Sequence, residues 1–216
     1  MKKLLSLAAF GCFLATSAQT TTTTSTTTTS DGKTTTSTTT SQYDKNVTVS
    51  AYGSFIELNQ VGLSVEFLGN KETKSMNDKS FSYYSSKIVN VAYGMMKYDF
   101  NALGIDDIDG NGFVIEIGQR TYFSSKNSGV YMANYLSYGN IKYDEDFGLF
   151  PNFKGTYSYF SFFSPEVGFK IKAGPIAIDP FAGVMWKLEV KGKGDVDNKN
   201  VDEWTPRVGL KIGYQF

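Results

Sequence analysis

The sequence predicts an all-β fold, an eight-stranded antiparallel up-and-down transmembrane β-barrel over residues 45–216. Three observations predict it. Eight segments alternate apolar with small or polar residues, the period that sends successive strand side chains to opposite faces. The connections between them alternate between short and long. The last nine residues set Val208, Leu210, Ile212, Tyr214 and Phe216 against Gly209, Lys211, Gly213 and Gln215. A wholly apolar, aromatic-ended strand face suits lipid, because rings sit well at the membrane–water boundary.

Two segments precede this region. Met1-Lys2-Lys3 is basic, Leu4 to Leu14 is apolar, and Ala15-Thr16-Ser17-Ala18 offers small residues for cleavage. Residues 1–18 therefore read as a secretory signal peptide, too short to span a bilayer as a helix. Lipidation at Cys12 is the alternative, but Ala9 stands where an aliphatic residue such as Leu is expected. Cleavage after Ala18 leaves no cysteine. Within residues 19–44, the tract 20–41 is Thr and Ser broken only by Asp31-Gly32-Lys33, with nothing apolar to offset the entropy of ordering. They read as a disordered periplasmic tether.

The eight strands fall near 46–57, 61–69, 86–100, 112–123, 129–142, 155–172, 176–190 and 204–216. In the first, Val47, Val49, Ala51 and Phe55 share a face. In the second, Val61, Leu63, Val65 and Phe67 oppose Gly62, Ser64 and Glu66. In the third, Val89, Val91, Tyr93 and Met95 align. The fourth sets Phe113, Ile115 and Ile117 against Glu116, Gly118 and Arg120. The fifth contains Tyr131, Ala133 and Tyr135 against Met132 and Asn134, and its phase is ambiguous. The sixth ends with Val167, Phe169 and Ile171 against Glu166, Gly168, Lys170 and Lys172. The seventh sets Ile176, Ile178, Val184, Trp186 and Leu188 against Asp179, Gly183, Lys187 and Glu189. Residues 70–85 are too long for a tight turn and extend a neighbouring strand or carry a pairing error.

The connections 124–128 and 173–175 are short, whereas 101–111, 144–154 and 191–203 are long and polar. Outer-membrane barrels have short periplasmic turns and longer outer loops, and an even strand count puts both termini in the periplasm. In the last strand Trp204 and Phe216 share the lipid-facing phase, about 30 Å apart along the membrane normal at 3.3 Å per residue and a 40° tilt.

Composition narrows the function. Without Lys2 and Lys3, 19 basic residues face 21 acidic ones, which argues against nucleic acid as a partner. There is no histidine, so a Ser-His-Asp triad, a His-ligated zinc and a His general base are excluded. The 21 Gly, 17 Phe and 14 Tyr suit a membrane barrel, with rings in the girdles and Gly where inward side chains must be small.

The segments Leu210–Phe216, Ser164–Lys170 with the turn Ala173-Gly174-Pro175, and Asp179–Gly183 resemble the small outer-membrane β-barrel family of Gram-negative bacteria. That family is broadly similar to the OmpA transmembrane domain and porin-family small barrels. The resemblance implies an outer-membrane location, outer-membrane lipid around the barrel, and contact with the barrel-assembly machinery. Leu210, Ile212, Tyr214 and Phe216 would be the assembly signal. It implies little about activity.

The inward phase carries Glu66, Glu116, Arg120, Glu166, Lys170, Asp179, Lys187, Glu189, Arg207 and Lys211. An eight-stranded interior is just wide enough to be filled by side chains, and charges there must pair. The expected outcome is a closed, salt-bridged interior in a protein with a structural or interaction role, such as an accessory subunit beside other envelope proteins. The alternative is a small pore for ions or small solutes. Catalysis is not expected, and neither is a cofactor. Asp107-Ile108-Asp109-Gly110-Asn111-Gly112 matches the start of a Ca²⁺ loop, but the twelfth position is Gly118 rather than a bidentate Glu. Asp195–Asn200 is a weaker match. No metal site is assigned.

Overall fold

The structure is a computed structural model that describes residues 21–28, 34–41, 47–76, 79–99, 107–123, 127–146, 152–196 and 201–216. The signal-peptide reading of 1–18, with Cys12, lies outside them. The chain divides into two compact units, Met1–Val47 with Phe216, and Thr48–Gln215.

In the first unit, β1 (Thr21–Thr28) and β2 (Thr34–Ser41) pair antiparallel in unbroken register from Thr21↔Ser41 to Thr28↔Thr34. This differs from the disordered tether expected of the Thr tract. Thr is β-branched and favours extended backbone, so a ladder forms without an alternating apolar face.

The remaining strands are β3 (Val47–Phe55), β4 (Leu58–Met76), β5 (Lys79–Tyr98), β6 (Ile108–Tyr122), β7 (Gly129–Glu145), β8 (Phe153–Phe163), β9 (Pro165–Ala173), β10 (Ile176–Gly194) and β11 (Trp204–Gln215). All the sheet pairings with a described register are antiparallel, and no helix occurs among the described residues. β8 and β9 both pair with β7 on one side and β10 on the other, so they form one passage interrupted at Ser164. Counting that passage once, a ring runs through eight strands: each pairs with its chain neighbour, and β11 returns to β3 through Val208↔Phe55 to Gln215↔Thr48.

Residues 70–76 and 79–85 prove to be strand. β4 and β5 pair from Leu58↔Met96 to Met76↔Lys79 with one irregularity between Leu68 and Lys71, a hairpin longer than the expected 61–69 and 86–100. The strand ends on either side of 100–106, 147–151 and 197–200 lie at one end of the ring, and those on either side of 124–126, with the turn 174–175, at the other. One connection departs from the long-loop pattern: Ile56-Glu57 is a two-residue turn at the long-loop end, both residues at positive φ (82° and 52°). At the opposite end Gly174 (φ 62°) supplies the positive φ of the turn between β9 and β10.

The ring is apolar outside and polar inside. Val61, Leu63, Phe67, Phe113, Ile115, Ile117, Val167, Phe169, Ile171, Leu210, Ile212 and Tyr214 are exposed. Their strand neighbours, including Ser64, Glu66, Glu116, Arg120, Glu166, Lys170 and Lys211, are buried. β7 settles the ambiguous phase: Tyr131, Ala133, Tyr135 and Tyr143 are buried, and Val130, Met132 and Leu136 face outward.

Candidate functional site: the buried charge network

The interior charges lie on inward positions of β4, β6, β9, β10 and β11. Four cations, Arg120, Lys170, Arg207 and Lys211, meet four anions, Glu66, Glu116, Glu166 and Asp179, each at most 4% exposed. Arg120 is the hub. Its guanidinium reaches Asp179 at 2.6 Å, Glu166 at 3.3 Å and Glu66 at 3.5 Å. Lys170 binds Glu66 at 2.7 Å, Lys211 binds Glu166 at 3.0 Å, and Arg207 binds Glu116 at 3.0 Å. Every carboxylate of the set therefore has a cation, which a buried ion requires.

Neutral donors supply further bonds. Tyr122 and Ser86 each donate to Glu66 at 2.6 Å. Tyr131 donates to Asp179 at 2.6 Å, and Tyr135 to Glu166 at 3.0 Å. Asn90 donates to Glu116 at 2.8 Å, while Tyr52 accepts from Arg207 at 2.6 Å. The Arg120 guanidinium also lies 4.1 Å from the centre of the Tyr131 ring, and the Lys211 ammonium 4.2 Å from that of Phe181, positions favoured by the ring quadrupole.

These tyrosines are the part of the site that sequence reasoning missed. A signal was present. Tyr131, Tyr135, Tyr143 and Tyr159 stand directly opposite Gly168, Gly118, Gly110 and Gly139 in the ladders. A Cβ at any of those glycines would run into the facing ring. Each inward ring thus lies over a neighbouring strand that carries no side chain, which lets large residues share a narrow interior.

Further buried contacts flank the network on both sides. Towards the short turns, Lys170 also donates to Asn127 at 2.6 Å and to Thr48 at 3.1 Å. Asn127, buried and at φ 56°, folds its side chain inward. Towards the long loops, Leu58, Met96, Ile141, Tyr143, Tyr159 and Met185 belong to a buried apolar and aromatic cluster.

Lys187 does not join the network. It is buried as expected, but its ammonium has no carboxylate within ion-pair distance among the described residues; it donates only to Met96 Sδ at 3.7 Å. It lines a cavity of about 410 Å³ at the long-loop end with Glu57, Asp99, Asp107 and Asp202. Lys172, expected inward, is exposed because β9 ends one residue later, and Glu189 is only half-buried. The Ca²⁺ loop does not form. Ile108–Gly112 belongs to β6, whose pleat buries Ile108 and Gly110 and exposes Asp109 and Asn111, and Asp107 pairs with Lys97 at 3.4 Å. Asp195–Asn200 falls partly outside the described residues.

One outward polar residue has a structural task. Phe162 and Phe163 both face outward before the buried Ser164, a bulge that restores the inside–outside phase between β8 and β9. Asn134 spans this break. Its side-chain oxygen accepts from Ser164 N at 3.0 Å, and its amide donates to Phe162 O at 3.5 Å. Its own sequence context, a polar residue between Met132 and Leu136, carries the signal.

Comparison with protein-family models, curated proteins and solved structures finds no match to this chain.

Proposed function

We propose that the ring is an eight-stranded transmembrane β-barrel of a Gram-negative outer membrane, closed to solutes, with a structural or interaction role and no catalysis. The observation that carries this reading is the inverted distribution of polarity. Apolar side chains cover the outer wall while eight ionised groups of the network lie buried inside. In water that arrangement would expose apolar surface all round and desolvate eight charges. In lipid the outer wall is solvated and a ring leaves no unpaired strand edge, as a membrane-spanning sheet requires. The rings of Phe163, Trp204 and Trp186 gather at one level of the outer wall, with centroids 6.3 Å and 6.4 Å apart, and suit an interfacial girdle.

The closed charge network and the apolar cluster above it favour a plugged barrel over a pore. Both termini would then be periplasmic, with Leu210, Ile212 and Tyr214 on the lipid face and Phe216 beside them as the signal read by the assembly machinery.

The test is reconstitution of the refolded full chain in planar bilayers. Heat-modifiable gel migration with no single-channel conductance supports the reading. Discrete conductance steps would replace it with the pore. A chain that stays in the aqueous phase and does not enter vesicles would overturn the barrel itself.

A further inference from the structure

The cavity at the long-loop end has a floor and a rim of different chemistry. Its floor is Met96 and Lys187, 4% and 2% exposed, with half-buried Val201 beside them. Its rim is Glu57, Lys97, Asp99, Asp107 and Asp202, all exposed. The chain leading into β11 brings Asp202 there: Lys187 N donates to Glu203 O at 2.6 Å, which holds that segment against β10. The turn between β3 and β4 brings Glu57 there. It stands at φ 52°, a conformation that costs a residue with a Cβ and that hairpin turns ordinarily give to Asn or Gly.

The charges of floor and rim are unmatched in opposite senses. An ammonium has three donors, and that of Lys187 has one weak acceptor among the described residues, the Met96 sulfur at 3.7 Å. A buried cation in that state lacks both a counter-charge and hydrogen-bond acceptors. At the rim Lys97 pairs with Asp107 at 3.4 Å, which leaves Glu57, Asp99 and Asp202 without an ion pair among the described residues. Glu57 and Asp202 act on Lys187 through space without contacting it. Floor and rim together therefore select against simple ions. A small anion suited to Lys187 lies beside three uncompensated carboxylates, and a small cation suited to the rim is repelled by the floor. A molecule carrying both signs satisfies both. Met96 and Val201 offer apolar contact to a short carbon chain, and a cavity of about 410 Å³ lies in the range of small-molecule sites.

We propose that this cavity binds a small zwitterion, an amino carboxylate of amino-acid to dipeptide size, with its carboxylate on Lys187 and its ammonium among Glu57, Asp99 and Asp202. Binding there needs no passage through the ring, and the inference does not rest on the outer wall meeting lipid.

The experiment titrates the full refolded chain in non-ionic detergent at low salt and is read by ligand-observed saturation-transfer NMR. The probes are two zwitterions, each with its singly charged counterparts: γ-aminobutyrate with butyrate and butylamine, and the dipeptide Ala-Ala with its N-acetyl and C-terminal amide forms. Saturable binding of at least one zwitterion is expected, about tenfold or more tighter than either of its counterparts. Lys187→Met should reverse the order, so that the singly positive counterpart binds at least as well as the zwitterion. Glu57→Gln/Asp202→Asn should favour the singly negative one. A reversed order, unlike a lost signal, is not what a misfolded chain would give. Lys142→Gln, which removes an exposed lysine outside the cavity, should keep the parent's order. No saturable binding of either zwitterion overturns the proposal. So does a counterpart that binds the parent as tightly as its zwitterion, or an unchanged order in Lys187→Met. Conductance and vesicle insertion are read separately: their outcome bears on the barrel reading and leaves this order of preference untouched.

Discussion

Lys211 and Lys187 are the same residue type, buried to the same degree on the inward faces of neighbouring strands, yet their surroundings differ. Lys211 sits among the charges and binds Glu166 at 3.0 Å. Lys187 lies nearer the long loops, where its only side-chain hydrogen bond among the described residues is to Met96 Sδ. An inward position settles that a side chain leaves solvent. Height along the ring settles whether it finds a counter-charge. One level of the interior is a matched set of four cations and four anions; the other is mainly apolar and aromatic.

Removing the hub should have the largest effect. Arg120→Met strands Asp179 and weakens the cover of Glu166 and Glu66, so the denaturant midpoint of the refolded protein should fall by the equivalent of about 5 kcal/mol, the upper range for breaking a buried pair. A variant as stable as the parent would mean that the network contributes nothing.

Lys211→Met should cost somewhat less, about 3 kcal/mol, because Glu166 keeps Arg120 and Tyr135. A stabilised variant would instead place Lys211 on the lipid face, where lysine costs about 2–4 kcal/mol at the midplane, and would invert the assignment of the two walls.

Asn134→Leu probes the outer wall. A polar-to-apolar change on a lipid face ordinarily helps, but here it frees Ser164 N–H and Phe162 C=O, so a loss of about 1–3 kcal/mol is expected. Gln119→Leu, also outward but with no such task, should be neutral or stabilising. Equal responses at the two positions would remove the stitching role of Asn134.

Lys187→Met should have the smallest effect, within about 1 kcal/mol of zero and of either sign, since a buried ammonium without a carboxylate gains little to offset its desolvation. A fall as large as that of Lys211→Met would show that Lys187 has a charged partner at the long-loop end.

How much of this was legible in the sequence differs from element to element. The phase of β6, β9, β10 and β11 could be read because side-chain direction alternates locally and each strand has one apolar face. β7 resisted because tyrosine suits both walls: its ring is apolar enough for lipid and its hydroxyl polar enough for the interior. Only the facing glycines, on other strands, decide it. The far part of the β4–β5 hairpin was hidden because Lys71, Glu72, Lys74 and Lys79 break the apolar alternation of the sequence, while the backbone pairing continues to Met76↔Lys79.

The sequence by itself thus determined which residues share a face, where the chain turns, and that histidine and most cysteine chemistry are missing. The tertiary structure decided who meets whom. Asp179 lies directly opposite Lys211 in the ladder between β10 and β11, so adjacency alone would pair them. Asp179 instead takes Arg120, 59 residues away, and Lys211 takes Glu166 on β9, two strands over. The physical reason is closure. Local periodicity sends a charge inward, but only a ring brings strands that are distant in sequence across a narrow interior, where the strongest compatible set of contacts overrides the nearest neighbour.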